Sequence, residues 1–128
     1  YDCGFAYLTV MGSASMGTLE ACAASAAAHH GTMMIDLLEC DDARIERIGG
    51  FVDAVYCLHT SVDSGATADP VGQVRAFRER FPQIRRIAVA GGIKPDQLEG
   101  VEIAIMGSAI TKADDIAAAA RRCKELAA

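Results

Sequence analysis

Short apolar runs alternate along this chain with stretches whose apolar residues recur every three or four positions. The runs Phe5–Met11, Thr32–Leu38, Ala54–Thr60, Arg86–Ala90 and Val101–Met106 read as strands. Between them the helical period takes over. Thr18 to about His30 carries a stripe of Leu19, Cys22, Ala23 and Ala26, with Gly31 placed at C′. Asp42–Ile48 is a short helix stopped by Gly49-Gly50. Asp69-Pro70 opens the next helix, an acid at the N-cap and proline at N1. That helix buries Val71, Val74, Phe77 or Arg78, and Phe81. Pro95-Asp96 begins a short helical turn, and the last helix runs from about Asp114 to Leu126. Its stripe is Ile116, Ala119, Ala120, Cys123 and Leu126, with acids at its start and Arg121, Arg122 and Lys124 near its end.

The order is β-α repeated, and the strands are apolar enough to be covered on both faces, so the fold class is α/β with a parallel sheet. No linker divides the chain, and residues 1–128 are expected to form a single α/β domain. The five strand candidates cannot close an eight-stranded barrel. Two architectures follow: an open sheet with an edge at Phe5–Met11, or the C-terminal five-eighths of a TIM-type barrel completed by something else. The net charge of −5 argues against a general nucleic-acid surface but leaves room for a phosphorylated small molecule held by backbone groups. No run reaches the ~18 apolar residues of a membrane span and no signal peptide is visible, so a cytoplasmic location without a membrane partner is expected. The chain starts at Tyr1 without an initiator methionine, as a processed chain or a fragment does. The five cysteines are odd in number with no CxxC pair, which favours buried free thiols over disulfides or zinc.

The segments Arg86-Ile-Ala-Val-Ala-Gly-Gly-Ile-Lys-Pro-Asp and Ile103-Ala-Ile-Met-Gly-Ser-Ala-Ile-Thr each end an apolar run in glycine just before a helix start. That arrangement brings backbone N–H groups close to an anion. Gly92, Gly107 and the Ser108 hydroxyl are the phosphate candidates, with Gly91 serving the turn; tight turns without a ligand are the alternative. His59 stands near the end of a strand and belongs to the residue type that ordinarily titrates near neutrality. Proton transfer and a hydrogen-bonded structural role are both open to it. Asp36 lies in an apolar strand, where a carboxylate needs partners; an acid facing the barrel mouth and a capping acid both fit. Asp63 orients His59 or caps the next segment, and Thr9 places a hydroxyl at the mouth or simply suits a strand. His29 and His30 point ~100° apart on a helix and do not chelate one ion; a helix C-terminus favouring cationic histidine accounts for them.

From Ala6 to Ala128 the chain resembles the C-terminal portion of the 3-hexulose-6-phosphate synthases, within the orotidine monophosphate decarboxylase suprafamily. The resemblance rests on Leu8-Thr-Val-Met-Gly, Met34-Ile-Asp-Leu-Leu, Cys57-Leu-His-Thr-Ser-Val-Asp, Ile87-Ala-Val-Ala-Gly-Gly-Ile-Lys-Pro and Ile105-Met-Gly-Ser-Ala-Ile-Thr. It implies strands four to eight of a TIM barrel, and a lyase that adds formaldehyde to D-ribulose 5-phosphate through an enediolate stabilised by Mg²⁺. It further implies a homodimer, with His59 moving a proton at C1 and Asp36 in a polar active-site role. Val62 and Ser108 stand where the related 3-keto-L-gulonate-6-phosphate decarboxylases typically have arginine, which favours the synthase branch. The metal ligands of the family lie on its first three strands, so none is expected in this chain. A decarboxylase of that kind and a non-catalytic phosphosugar-binding half-barrel are the alternatives.

Overall fold

The computed structural model describes residues 1–59, 69–98 and 100–126. The strands are β1 (Tyr7–Met11), β2 (Thr32–Asp36), β3 (Val55–His59), β4 (Ile87–Ala90) and β5 (Ile103–Ile105). The helices are α1 (Met16–Ala28), α2 (Asp42–Ile48), α3 (Pro70–Arg80), α4 (Ser108–Thr111) and α5 (Ile116–Leu126), and a 3₁₀ turn spans Pro95–Gln97. All pairings are parallel, in the order β1-β2-β3-β4-β5. Each strand therefore lies beside the next in sequence, with no reversal of strand order of the kind that divides a doubly wound sheet.

The two faces of the sheet differ. On one face Met33, Ile35, Leu37, Tyr56, Ile87 and Val89 pack with Leu19 and Ala26 of α1, Ile45 and Ile48 of α2, and Val74 and Phe77 of α3. The opposite face carries Met34, Val55, Cys57, Ala88 and Ala90, a buried cluster made of strand residues alone. A doubly wound sheet has helices on both faces; a barrel keeps its helices outside and fills its interior with strand side chains. Sequential order and one-sided helices make these five βα units a curved segment of the barrel kind. β1 and β5 are its edges.

The cap predicted at Asp69 forms, and Asp115, expected only as an acid at the start of the last helix, also caps it. Asp69 accepts the Gly72 N–H at 2.9 Å with Pro70 at the first helical position, and Asp115 accepts the Ala118 N–H at 2.8 Å. The first helix begins earlier than expected, because Ser15 accepts the Thr18 N–H. It also ends differently. His30 takes the left-handed conformation at φ 54°, and Gly31 donates to the Ala26 carbonyl at 2.9 Å, the closing bond of a Schellman motif. Gly31 is instead needed for space, since a Cβ there would meet the Tyr1 ring.

The apolar stripe expected of the last helix is only partly used. Cys123 is buried, but Ile116 is 54% and Leu126 48% exposed. The helix packs against α4 and the 95–97 turn rather than across the sheet, because β5 is an edge with no further strand for it to cover. All five cysteines are free; Cys57 and Cys123 are buried, Cys22 and Cys40 half-buried, and Cys3 is exposed rather than buried.

Candidate functional site

Parallel pairing places the last residues of the strands along one edge of the sheet. Asp36 ends β2 and pairs in register with Met11 and Cys57. His59 ends β3 and pairs with Ala90, which pairs with Ile105. Gly91-Gly92 and Gly107-Ser108 follow those last two strands. His59, Asp36, Gly91, Gly92, Gly107 and Ser108 therefore share the C-terminal edge, where barrel enzymes build their sites. Side-chain alternation puts Asp36, His59 and Thr9 on the strand-only face. Thr9 pairs with Met34, a full residue pair short of the edge, and is not joined to the others. Asp63 lies outside the described residues, as does Val62.

His59 and Asp36, 23 residues apart in sequence, meet at 3.1 Å between Nδ1 and Oδ2. Asp36 is anchored on its other oxygen, which accepts the Leu38 N–H at 2.9 Å. Its backbone carbonyl accepts the Gly12 N–H at 2.7 Å. The Asp36 side chain is 15% exposed and that of His59 33%, so the pair is sheltered yet open to a small molecule. The nearby thiols are protonated at neutral pH. Burial, with Asp36 charge as the lesser cause, pushes Cys57 up to about 12. Burial also raises Cys40, with the Arg44 guanidinium opposing it.

Arg44 was not singled out from the sequence. It reaches back from α2 to the loop after β1, donating from Nε to the Gly12 carbonyl at 2.7 Å and from its terminal nitrogen to the Ala14 carbonyl. Nothing local marks it, since its partners lie 32 and 30 residues away. It clamps the loop whose Gly12 touches the Asp36 carbonyl.

The glycines separate into two kinds. Gly91 and Gly92 have φ of 94° and 65°, so the turn itself requires them. Gly107 has φ −104°, and a Cβ built on it meets nothing within 4 Å. Its φ is not in the left-handed region, and no close neighbour in the chain calls for glycine there. Gly107 opens α4, whose first N–H groups have no carbonyl one turn back to receive them.

The described residues do not fit a divalent cation. They contain no group of three or more His, Cys, Asp or Glu able to hold one, and both Asp36 oxygens are engaged. A cleft of about 350 Å³ lies between α2 and α3, lined by Leu37, Ile45, Leu58, Phe77 and Phe81 together with His59. It touches none of the three phosphate candidates and belongs to the helix side. His29, expected to act through the helix end, pairs with Asp2 at 3.1 Å and stacks on Tyr1. No described helix is long and apolar enough to cross a membrane.

Comparison with known proteins carries this geometry further. A model of the orotidine 5'-phosphate decarboxylase / HUMPS family matches residues 2–123. The bifunctional enzyme Fae/Hps of Archaeoglobus fulgidus is 34% identical over 97 residues, which is 69% of this chain and 24% of that protein. The 3-hexulose-6-phosphate synthase of Staphylococcus haemolyticus is 26% identical over 126 residues, 92% of this chain and 60% of the synthase. The crystal structure of 3-hexulose-6-phosphate synthase from Salmonella typhimurium superposes with a TM-score of 0.81 at 29% identity, over 98% of this chain and 63% of that one. The chain thus spans less than two thirds of the length of each.

Proposed function

The chain belongs to the orotidine 5'-phosphate decarboxylase / HUMPS family, and from that premise we propose that it forms the phosphosugar-binding and proton-transferring part of a 3-hexulose-6-phosphate synthase-type lyase. The observation that carries the reading is the shared edge: an anchored His–Asp pair in line with two strand-end glycine segments. The substrate phosphate sits against the backbone N–H groups at Gly92, Gly107 and Ser108. His59 moves a proton at C1 of D-ribulose 5-phosphate. The C1 carbanion equivalent then forms a bond to the formaldehyde carbon, whose oxygen takes up a proton, giving the hexulose 6-phosphate. Mg²⁺, implied by the resemblance, supplies enediolate stabilisation when bound, from ligands other than the described residues. Ser108, where the decarboxylase branch has arginine, favours the synthase reading over 3-keto-L-gulonate-6-phosphate decarboxylation.

A barrel closes with eight strands, so three further βα units complete the site, and residues 1–128 correspond to the C-terminal five-eighths. The β1 edge, flanked by exposed Phe5, Tyr7, Leu8 and Met11, supports self-association, and a homodimer is the proposed assembly. A cytoplasmic setting suits phosphorylated metabolites. Calorimetry tests the anion site: Gly107→Val fills space that is open in the chain and is expected to abolish ribulose 5-phosphate binding, with circular dichroism checking that the fold is kept. Undiminished binding by that variant places the phosphate elsewhere.

A further inference from the structure

We infer that Asp36 is the positioning residue of His59, holding the neutral imidazole as its Nδ1–H tautomer and presenting Nε2 as the nitrogen that exchanges protons. The inference rests on the reading above for what Nε2 does, but its geometric content stands apart. The sequence left Asp63 open between orienting His59 and capping the next segment, and Asp63 lies outside the described residues; the acid that meets His59 among the described residues is Asp36, on the neighbouring strand.

The argument follows from donors and acceptors. An ionised carboxylate only accepts hydrogen bonds. One Asp36 oxygen is occupied by the Leu38 N–H at 2.9 Å. The other faces His59 Nδ1 at 3.1 Å, so the proton in that contact sits on the ring. A neutral imidazole with its proton on Nδ1 keeps a lone pair on Nε2, the reverse of the preference of a free ring. The anchor is stiff because Asp36 is the last residue of β2 and its carbonyl is tied to Gly12. The Leu37 N–H bonds the Cys57 carbonyl at 3.0 Å, which locks the end of β2 to β3 two residues before His59. The tautomer of a histidine is set in this way by the hydrogen bond of its other nitrogen. Moving the ring by one rotamer would cost both the orientation and the bond.

Long-range ¹H–¹⁵N NMR of the imidazoles, at a pH where the ring is neutral, reads the tautomer directly; His59→Gln assigns the signal among the three histidines. The expected result is a protonated Nδ1 and an Nε2 with the shift of a lone-pair nitrogen. Asp36→Ala should return the ring to the free-imidazole preference for Nε2–H. A parent protein with His59 predominantly Nε2–H overturns the proposal, whether or not the variant folds. So does an Asp36→Ala protein that is folded and keeps the Nδ1–H form. In the catalytically complete assembly, Asp36→Asn should lower kcat by ~10²-fold or more with little change in KM. If the tautomer is as stated and His59→Ala leaves turnover unchanged, the positioning stands and the catalytic reading falls.

Discussion

Tyr56→Phe should cost little stability at neutral pH and gain stability in alkali, with a crossing point between. The Tyr56 ring is 1% exposed, and its hydroxyl donates to the Ile48 carbonyl at 2.6 Å, with the Phe51 carbonyl at 3.3 Å. Removing the oxygen keeps the ring and its packing. Neither carbonyl is orphaned: Ile48 keeps the Phe51 N–H at 3.4 Å and Phe51 keeps the Ala54 N–H at 3.0 Å. The cost is therefore that of one ordinary hydrogen bond, about 1 kcal/mol, rather than the ~3 kcal/mol of a stranded buried acceptor. Burial also pushes the phenol up to about 12, from 10.0. A folded-state pKa above the unfolded one means the stabilisation is complete below pH 10 and lost as pH rises through 12. The parent loses on the order of 1.4 kcal/mol from this group by pH 11 and ~2 kcal/mol by pH 12; the phenylalanine variant loses none of it. The buried Cys57 thiol, also pushed to about 12, weakens both proteins alike in the same direction and cancels in the difference. Urea melts at constant m should thus show the variant ~0.3–1 M less stable at pH 8, equal near pH 11 and more stable beyond. Parallel curves for the two proteins from pH 8 to 11.5 would refute the buried-phenol argument.

Two further substitutions test the scaffold. Gly12→Ala places a Cβ 2.8 Å from Cys40 Sγ and 2.9 Å from the Asp36 carbonyl oxygen, so it should destabilise by about 1–3 kcal/mol in urea melts. Adding Cys40→Ala should recover only part of the loss, because the backbone contact remains; full recovery contradicts the clash with Asp36. His30→Gly removes a Cβ from a φ of 54° and should stabilise by about 0.5–1 kcal/mol after the added flexibility of the unfolded chain is counted. A lower urea midpoint for that variant would show that the His30 side chain contributes more than its strained backbone costs.

The sheet was legible because each strand is an apolar run closed by a change of residue type. The cap at Asp69-Pro70 was legible because it acts on an N–H group three residues on. His59 and the glycines were legible as strand-end residues because a change of residue type closes each run; Asp36 was read inside a longer strand, Thr32–Leu38, and the strand ends at Asp36 itself. What failed is what depends on distant partners. Pairing of His59 with Asp36 depends on strand register, and Arg44 finds its acceptors across the β1–α1 loop. The exposure of the α5 stripe follows from β5 being an edge, which periodicity within a helix does not reveal. The left-handed residue is His30 rather than Gly31 because the helix closes one residue earlier than the glycine suggested, and the Tyr1 ring that would meet a Cβ on Gly31 comes from 30 positions away in sequence.

The most direct test of the account is formaldehyde consumption dependent on ribulose 5-phosphate. It should be measured with Mg²⁺ on residues 1–128 alone, and again with a polypeptide carrying the first three βα units of a related synthase supplied. The account predicts negligible turnover by residues 1–128 alone. It predicts turnover in the completed barrel that falls by roughly 10²–10⁴ in His59→Ala. Full turnover by the isolated chain running as a monomer, or a completed barrel indifferent to His59→Ala, would contradict it.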